Sequence, residues 1–202
     1  MKATARKVEE YWFRTDMLEP PLDELSRKVW GMTYDILDSV KSAVIVIFLM
    51  FTFLFRIVGV DGHSMNPTLT NGDWLTVSAT RVNPRRGDIV VVTQPKFMHE
   101  PLIKRVIAVG GDVIDIDVEA RTVSVNGQVI PEPYIKEPIQ ESKLGPKQYP
   151  FTVEEGYIFV MGDNRNGSTD SRSDAVGLID TRYVLGAARH RLFPFGQFTI
   201  DA

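Results

Sequence analysis

The 202-residue chain predicts a mainly β domain carried behind a helical tail and one transmembrane helix. Three observations predict it. Ser42 to Phe55 holds no charge and no polar face. From Val58 onward, short apolar runs alternate with Gly, Asp and Asn turns, and no helical period intervenes. Within that part, Asn126-Gly127 between Thr122–Val125 and Gln128–Ile130 is a strong hairpin signal.

The elements follow in chain order. Val8, Tyr11, Trp12 and Leu18 fit a short amphipathic helix that breaks at Glu19-Pro20-Pro21-Leu22. Leu25, Val29, Met32, Ile36 and Val40 recur at helical spacings from Asp23 to Val40. The run from Ser42 to Val60 is 19 residues with one charge, Arg56. A bilayer span takes about 20 mainly apolar residues, and Lys41 and Arg56 are long enough to reach the two interfaces. Residues 39–57 are therefore expected to cross a membrane. Lys2, Arg6, Lys7, Arg14, Arg27, Lys28 and Lys41 precede the span, whereas only Arg56 follows it closely. That asymmetry puts the tail, residues 1–38, in the cytoplasm and residues 58–202 outside.

In the β part, strands are expected at Leu75–Val77, Ile89–Thr93, Leu102–Val109, Thr122–Val125, Gln128–Ile130 and Tyr157–Met161. The proline-rich stretch 131–150 reads as a long loop or an edge excursion.

Composition excludes several functions. With 23 basic and 26 acidic residues and no basic patch interleaved with aromatics, no nucleic acid is expected as a partner. The absence of Cys removes disulfides, thiolate metal sites and a cysteine nucleophile. His63, His99 and His190 have no metal-ligand spacing. The run Asp163 to Asp170 fails the calcium-loop pattern, because Arg165 stands at its third position. It reads instead as a hydrogen-bonded turn in which Arg165 and Arg172 pair with Asp163 or Asp170. No metal and no cofactor are expected.

Two residues suggest chemistry. Ser64 lies on a turn enforced by Asn66-Pro67, and Lys104 lies inside the apolar run Leu102–Val109. Burial disfavours the ammonium, and a neutral amine can take a serine proton. Each residue alone has an ordinary structural reading, a turn serine and a lysine that reaches out of a strand. His63 adjoins Ser64, but neighbours in a turning chain point apart.

The surroundings alter that balance. Gly62-x-Ser64-Met65-x-Pro67-Thr68-Leu69, Arg86-Gly87-Asp88, Lys104 to Asp112, and Gly162-Asp163-Asn164-Arg165-x-x-Ser168-x-Asp170-Ser171-Arg172 resemble, in order, the motifs of bacterial type I signal peptidases, in particular the compact Gram-positive kind. The resemblance covers about Phe55 to Phe195. It implies a fold of antiparallel sheets and a membrane-anchored serine endopeptidase that removes signal peptides from exported preproteins after Ala-x-Ala type sites. It assigns Ser64 as nucleophile and Lys104 as general base, with Ser168 orienting the amine. Asp163, Asp170 and Arg172 brace the site, and Val60, Met65, Leu69 and Ile103 line the substrate pockets. Some members carry a serine two residues before the nucleophile to help hold the oxyanion. Here that residue is Gly62, so the oxyanion is expected on the backbone amides of Ser64 and Gly62. Preproteins and the lipid bilayer are the partners implied. Two other readings share features with this one. A self-cleaving Ser–Lys repressor needs a DNA-binding module and lacks a span, and a silent membrane-tethered scaffold lacks a reason to keep the dyad.

Overall fold

The computed structural model describes residues 23–53, 55–78, 83–93 and 100–194. The first part of the tail, with Val8, Tyr11, Trp12 and Leu18, and also His99 lie outside the described residues. The chain divides into two compact units, residues 1–48 and 49–202.

Helix α1 runs over Glu24–Phe53. Asp23 starts it: its Oδ1 accepts the Ser26 N–H at 2.7 Å, satisfying one of the orphan donors of the first turn. Hydrogen bonding from the Ser26 side chain, and then from its backbone N–H, holds the Asp23 carboxyl below its usual range. The helix continues without a break through residues 38 and 39. Among the described residues no helix is long and apolar enough to cross a membrane. The uncharged end of α1 begins only at Ser42, after Asp35, Asp38 and Lys41. The apolar run then changes structure. Phe55–Gly59 is strand β1, which pairs with Trp74–Ser78, strand β2. Residues 55–57 of the expected span therefore belong to a sheet. A run of apolar residues suits a buried strand as well as a helix, and here cross-strand pairing decides.

The remaining strands are β3 (Ile89–Val92), β4 (Leu102–Val109), β5 (Val113–Asp117), β6 (Thr122–Val125), β7 (Gln128–Val129), β8 (Phe151–Thr152), β9 (Tyr157–Met161), β10 (Ile179–Asp180) and β11 (Val184–Phe193). They form two antiparallel sheets, ordered β1-β2-β11-β3-β4-β9-β10 and β7-β6-β5-β8. Strands β5, β8, β10 and β11 add to those expected from the sequence. The last is long but carries two register shifts against β2 and one against β3, which break its period. At Gly186 a side chain would meet Ser78 O at 2.2 Å, so glycine permits the pairing of β11 with β2. The expected hairpin forms: Asn126 and Gly127 have φ of 55° and 75°, the two positive values a two-residue turn of this hand requires. Residues 131–150 carry no strand, as expected of a loop.

Strand β4 sits inside the larger sheet, between β3 and β9. Ile103 to Ala108 are all buried, so both Lys104 and Arg105 are held away from water on successive positions. Beneath the Ser64 turn lies a core of Val60, Met65, Leu69, Leu75, Val77, Ile89, Val91, Ile103 and Ala188. A separate cluster centred on Ile114, Val123, Val125 and Phe159 joins the smaller sheet to β4 and β9.

Candidate active site

Ser64 and Lys104 meet. Lys104 Nζ donates to Ser64 Oγ at 2.8 Å and to Ile103 O at 2.9 Å. The lysine is 2% exposed. Burial pushes its amine down from 10.5 to about 8, against the charges of Asp170 and Asp163, which favour the ammonium. A hydroxyl and a desolvated amine at this distance can exchange a proton without a histidine or a metal.

Two extended ion pairs frame the dyad. Asp170 accepts Arg172 Nε and Nη2, each at 2.8 Å, and its Oδ2 accepts the Gly162 N–H at 3.0 Å. That pair matches the expectation. Asp163 does not pair with Arg165. Its partner is Arg105, through Nε to Oδ1 and Nη2 to Oδ2, both at 2.9 Å, with both side chains fully buried. Arg165 lies in a short 3-10 turn over Arg165–Gly167. Its guanidinium reaches Glu132 instead, at 3.0 Å and 2.5 Å. Asp163 also takes the Thr68 hydroxyl at 2.5 Å, which ties the Ser64 turn to the strand carrying Lys104. The other motif pieces meet as well: Arg86 Nε donates to Asp112 Oδ2 at 2.7 Å, and Gly87 O accepts Arg105 Nη1 at 3.0 Å.

Three expected roles differ from the geometry. Ser168 Oγ is buried with no hydrogen-bond partner, and no bond joins it to Lys104. It packs against Gly162, where a side chain would meet Ser168 Oγ and Ser64 O, each at 2.4 Å. The amine takes its orienting acceptor from its own strand, at Ile103 O. Gly62 does not offer a free amide. Its N–H donates to Asn71 Oδ1 at 2.9 Å, because the 60–62 segment lies against the turn at 70–73. Val60 N–H to Asp73 O at 2.8 Å and Gly72 N–H to Val60 O at 2.9 Å hold that register. Ser64 N–H has no acceptor among the described residues. Leu69 is not part of the lining of the cleft beside Ser64 and Lys104. It is fully buried in the core behind Met65, placed there by its N–H bond to Met65 O at 2.9 Å.

A cleft of about 300 Å³ opens on the dyad. Val60, Met65 and Ile103 line it together with Ser64 and Lys104, and Val58, Val91 and Leu102 extend its apolar wall. Small side chains fit such a space.

Sequence reasoning assigned no role to Arg105, Asn164, Asn71 or Glu132. The juxtaposition of Lys104 and Arg105 was a usable signal. Two adjacent charges inside an apolar strand each need a buried reason, and only one had been given.

Residues 34–193 match the family described as signal peptidase, peptidase S26. The chain is 36% identical over 184 residues to signal peptidase I of Bacillus licheniformis, covering 87% of this chain and 96% of that one. It is 36% identical over 178 residues to signal peptidase I T of Bacillus subtilis strain 168, covering 83% and 86%. Among solved structures, signal peptidase I of Enterococcus faecalis V583 is 27% identical, with a TM-score of 0.45, over 54% of this chain and 98% of that one. The matched span takes in the Ser64 turn, strand β4 and the 162–172 turn, and the chain belongs to the signal peptidase, peptidase S26, family.

Proposed function

We propose that the chain cleaves N-terminal signal peptides from exported preproteins by acyl transfer, with Ser64 as nucleophile and Lys104 as general base. The contact of 2.8 Å between a serine hydroxyl and a buried amine carries this reading. With the amine at about 8, about one lysine in ten is neutral at pH 7, enough for a base that acts near neutrality. Neutral Lys104 accepts the Ser64 proton as Oγ attacks the scissile carbonyl, while its N–H to Ile103 O keeps the lone pair aimed. The protonated amine then returns the proton to the leaving amine, and water, deprotonated by the same lysine, releases the acyl group. Ser64 N–H holds the oxyanion. The apolar cleft accepts small residues before the cut. The test is a precursor with an Ala-x-Ala site, incubated with the full chain in detergent. One cut after that site is expected, with about a hundredfold loss when the last Ala becomes Phe. Cleavage indifferent to that residue would overturn the assignment of the cleft.

The end of α1, residues 39–53, is further proposed to attach the enzyme to the membrane, with residues 1–38 cytoplasmic and 58–202 outside. Val44 to Met50 are 45–66% exposed large hydrophobics, an apolar surface that lipid covers well. In sealed right-side-out vesicles, added protease is expected to digest the β part and spare an N-terminal tag. Protection of the β part would overturn this topology.

A further inference from the structure

Asn164 makes two hydrogen bonds to the nucleophile turn. Its backbone N–H donates to Ser64 O at 3.0 Å, and its Nδ2 donates to His63 O at 3.1 Å. The residue is 8% exposed. Gly167 makes room for the carboxamide, since a side chain there would meet Asn164 Nδ2 at 2.5 Å. The turn itself adds one weaker tie, Asn66 N–H to His63 O at 3.2 Å.

The consequence lies in peptide geometry. The His63–Ser64 bond is trans, so His63 C=O and Ser64 N–H share one plane and point in opposite directions. A donor that fixes the carbonyl fixes the amide. With Gly62 N–H committed to Asn71, Ser64 N–H is the donor whose direction matters most to a developing oxyanion. The second bond, to Ser64 O, holds the next peptide plane and so leaves the first little freedom to rock.

We propose that Asn164 is a positioning residue for catalysis: its carboxamide, acting through His63 O, aims Ser64 N–H at the oxyanion. The proposal rests on the reading of Ser64 as nucleophile. It differs from simple bracing in what it affects. A mis-aimed amide weakens the transition state, whereas substrate binding and the lysine's proton affinity are set elsewhere, by the apolar cleft and by burial of Lys104.

The full chain is compared with Asn164→Ala, Asn164→Asp and, as an independent perturbation of the same carboxamide, Gly167→Ala. Asn164→Asp keeps shape and backbone N–H but turns an acceptor toward His63 O. Each is expected to lower kcat by about 10–100-fold, with Asn164→Asp at the lower end of activity, at a KM within twofold of the wild type. Affinity for a substrate-like peptide aldehyde, which forms a tetrahedral adduct on Ser64, is expected to fall by the same factor. The pH at which kcat/KM rises is expected to stay in place. The proposal is overturned by a kcat within twofold of the wild type in Asn164→Asp, by KM rising in step with the loss, or by a shifted pH limb. Variants that melt well below the wild type would assign Asn164 a structural role and overturn it too. Ser64→Ala in the same assay separates the two ideas. If Ser64→Ala still cleaves, the nucleophile assignment fails; if it is dead and Asn164→Asp is unaffected, only the positioning role fails.

Discussion

Lys104→Met is expected to yield an inactive protein that is more stable than the wild type, whereas Ser64→Ala is expected to be inactive and nearly unchanged in stability. Both remove one half of the dyad, and losses of about 10⁴-fold or more are usual when such a unit is broken. The difference lies in burial. The fold lowers the Lys104 amine from 10.5 to about 8, first of all by desolvation. Between those values the unfolded chain binds the proton and the folded protein does not, so stability rises with pH through that window. Below about pH 8 the folded state carries the full cost of a buried ammonium, about 3 kcal/mol at about 1.4 kcal/mol per tenfold change in proton affinity. Methionine keeps an unbranched side chain one heavy atom shorter and has no charge to desolvate. Urea melts at pH 6.5 should show a gain approaching about 3 kcal/mol that shrinks as pH nears 10.5. In the wild type the same group should appear as a rise in kcat/KM with a midpoint near pH 8. A Lys104→Met protein less stable than wild type at pH 6.5, or one that still cleaves at a few per cent of the wild-type rate, would contradict the assignment. On the proposed role of Lys104, both results would mean that the site trades stability for a base that works near neutrality.

What the sequence made legible was local. The Ser64 turn follows from Asn66-Pro67, and the bounds of strand β4 follow from an apolar run closed by Gly110-Gly111-Asp112. The Asn126-Gly127 hairpin depends on two residues that tolerate positive φ. What it left obscure depended on partners far away. The sequence offers Asp163 only the nearby Arg165 or Arg172, because proximity in sequence is visible and proximity in space is not. The true partner, Arg105, stands 58 positions earlier. Nothing local in the sequence shows that Asn71 takes the Gly62 N–H or that Leu69 is buried in the core behind Met65. The break between α1 and β1 has the same cause. Nothing within Phe51–Phe55 separates helix from strand, and the choice falls to β2, about twenty residues later.

Arg105→Ala is expected to be the most destabilising single change near the site, by about 3–5 kcal/mol, because it strands a fully buried carboxylate. Arg105 gives Asp163 two hydrogen bonds at 2.9 Å and stacks its guanidinium 3.9 Å from the centre of the Tyr134 ring. Without it the Asp163 carboxylate keeps the Thr68 hydroxyl and loses its counter-charge. If the penalty is that of an unpaired charge, removing the charge relieves it. The double variant Arg105→Met with Asp163→Leu should therefore recover most of the loss in a denaturant melt. Activity should not recover with it. Asp163 is also the acceptor that ties Thr68, four residues after Ser64, to the strand bearing Lys104. A stable double variant with kcat still down at least about tenfold would separate the two duties of the pair, neutralising a buried charge and registering Ser64 against Lys104. Equal recovery of stability and rate would assign the pair to folding alone. No recovery of stability would mean that packing of Arg105 against Tyr134, rather than its charge, is what the core depends on.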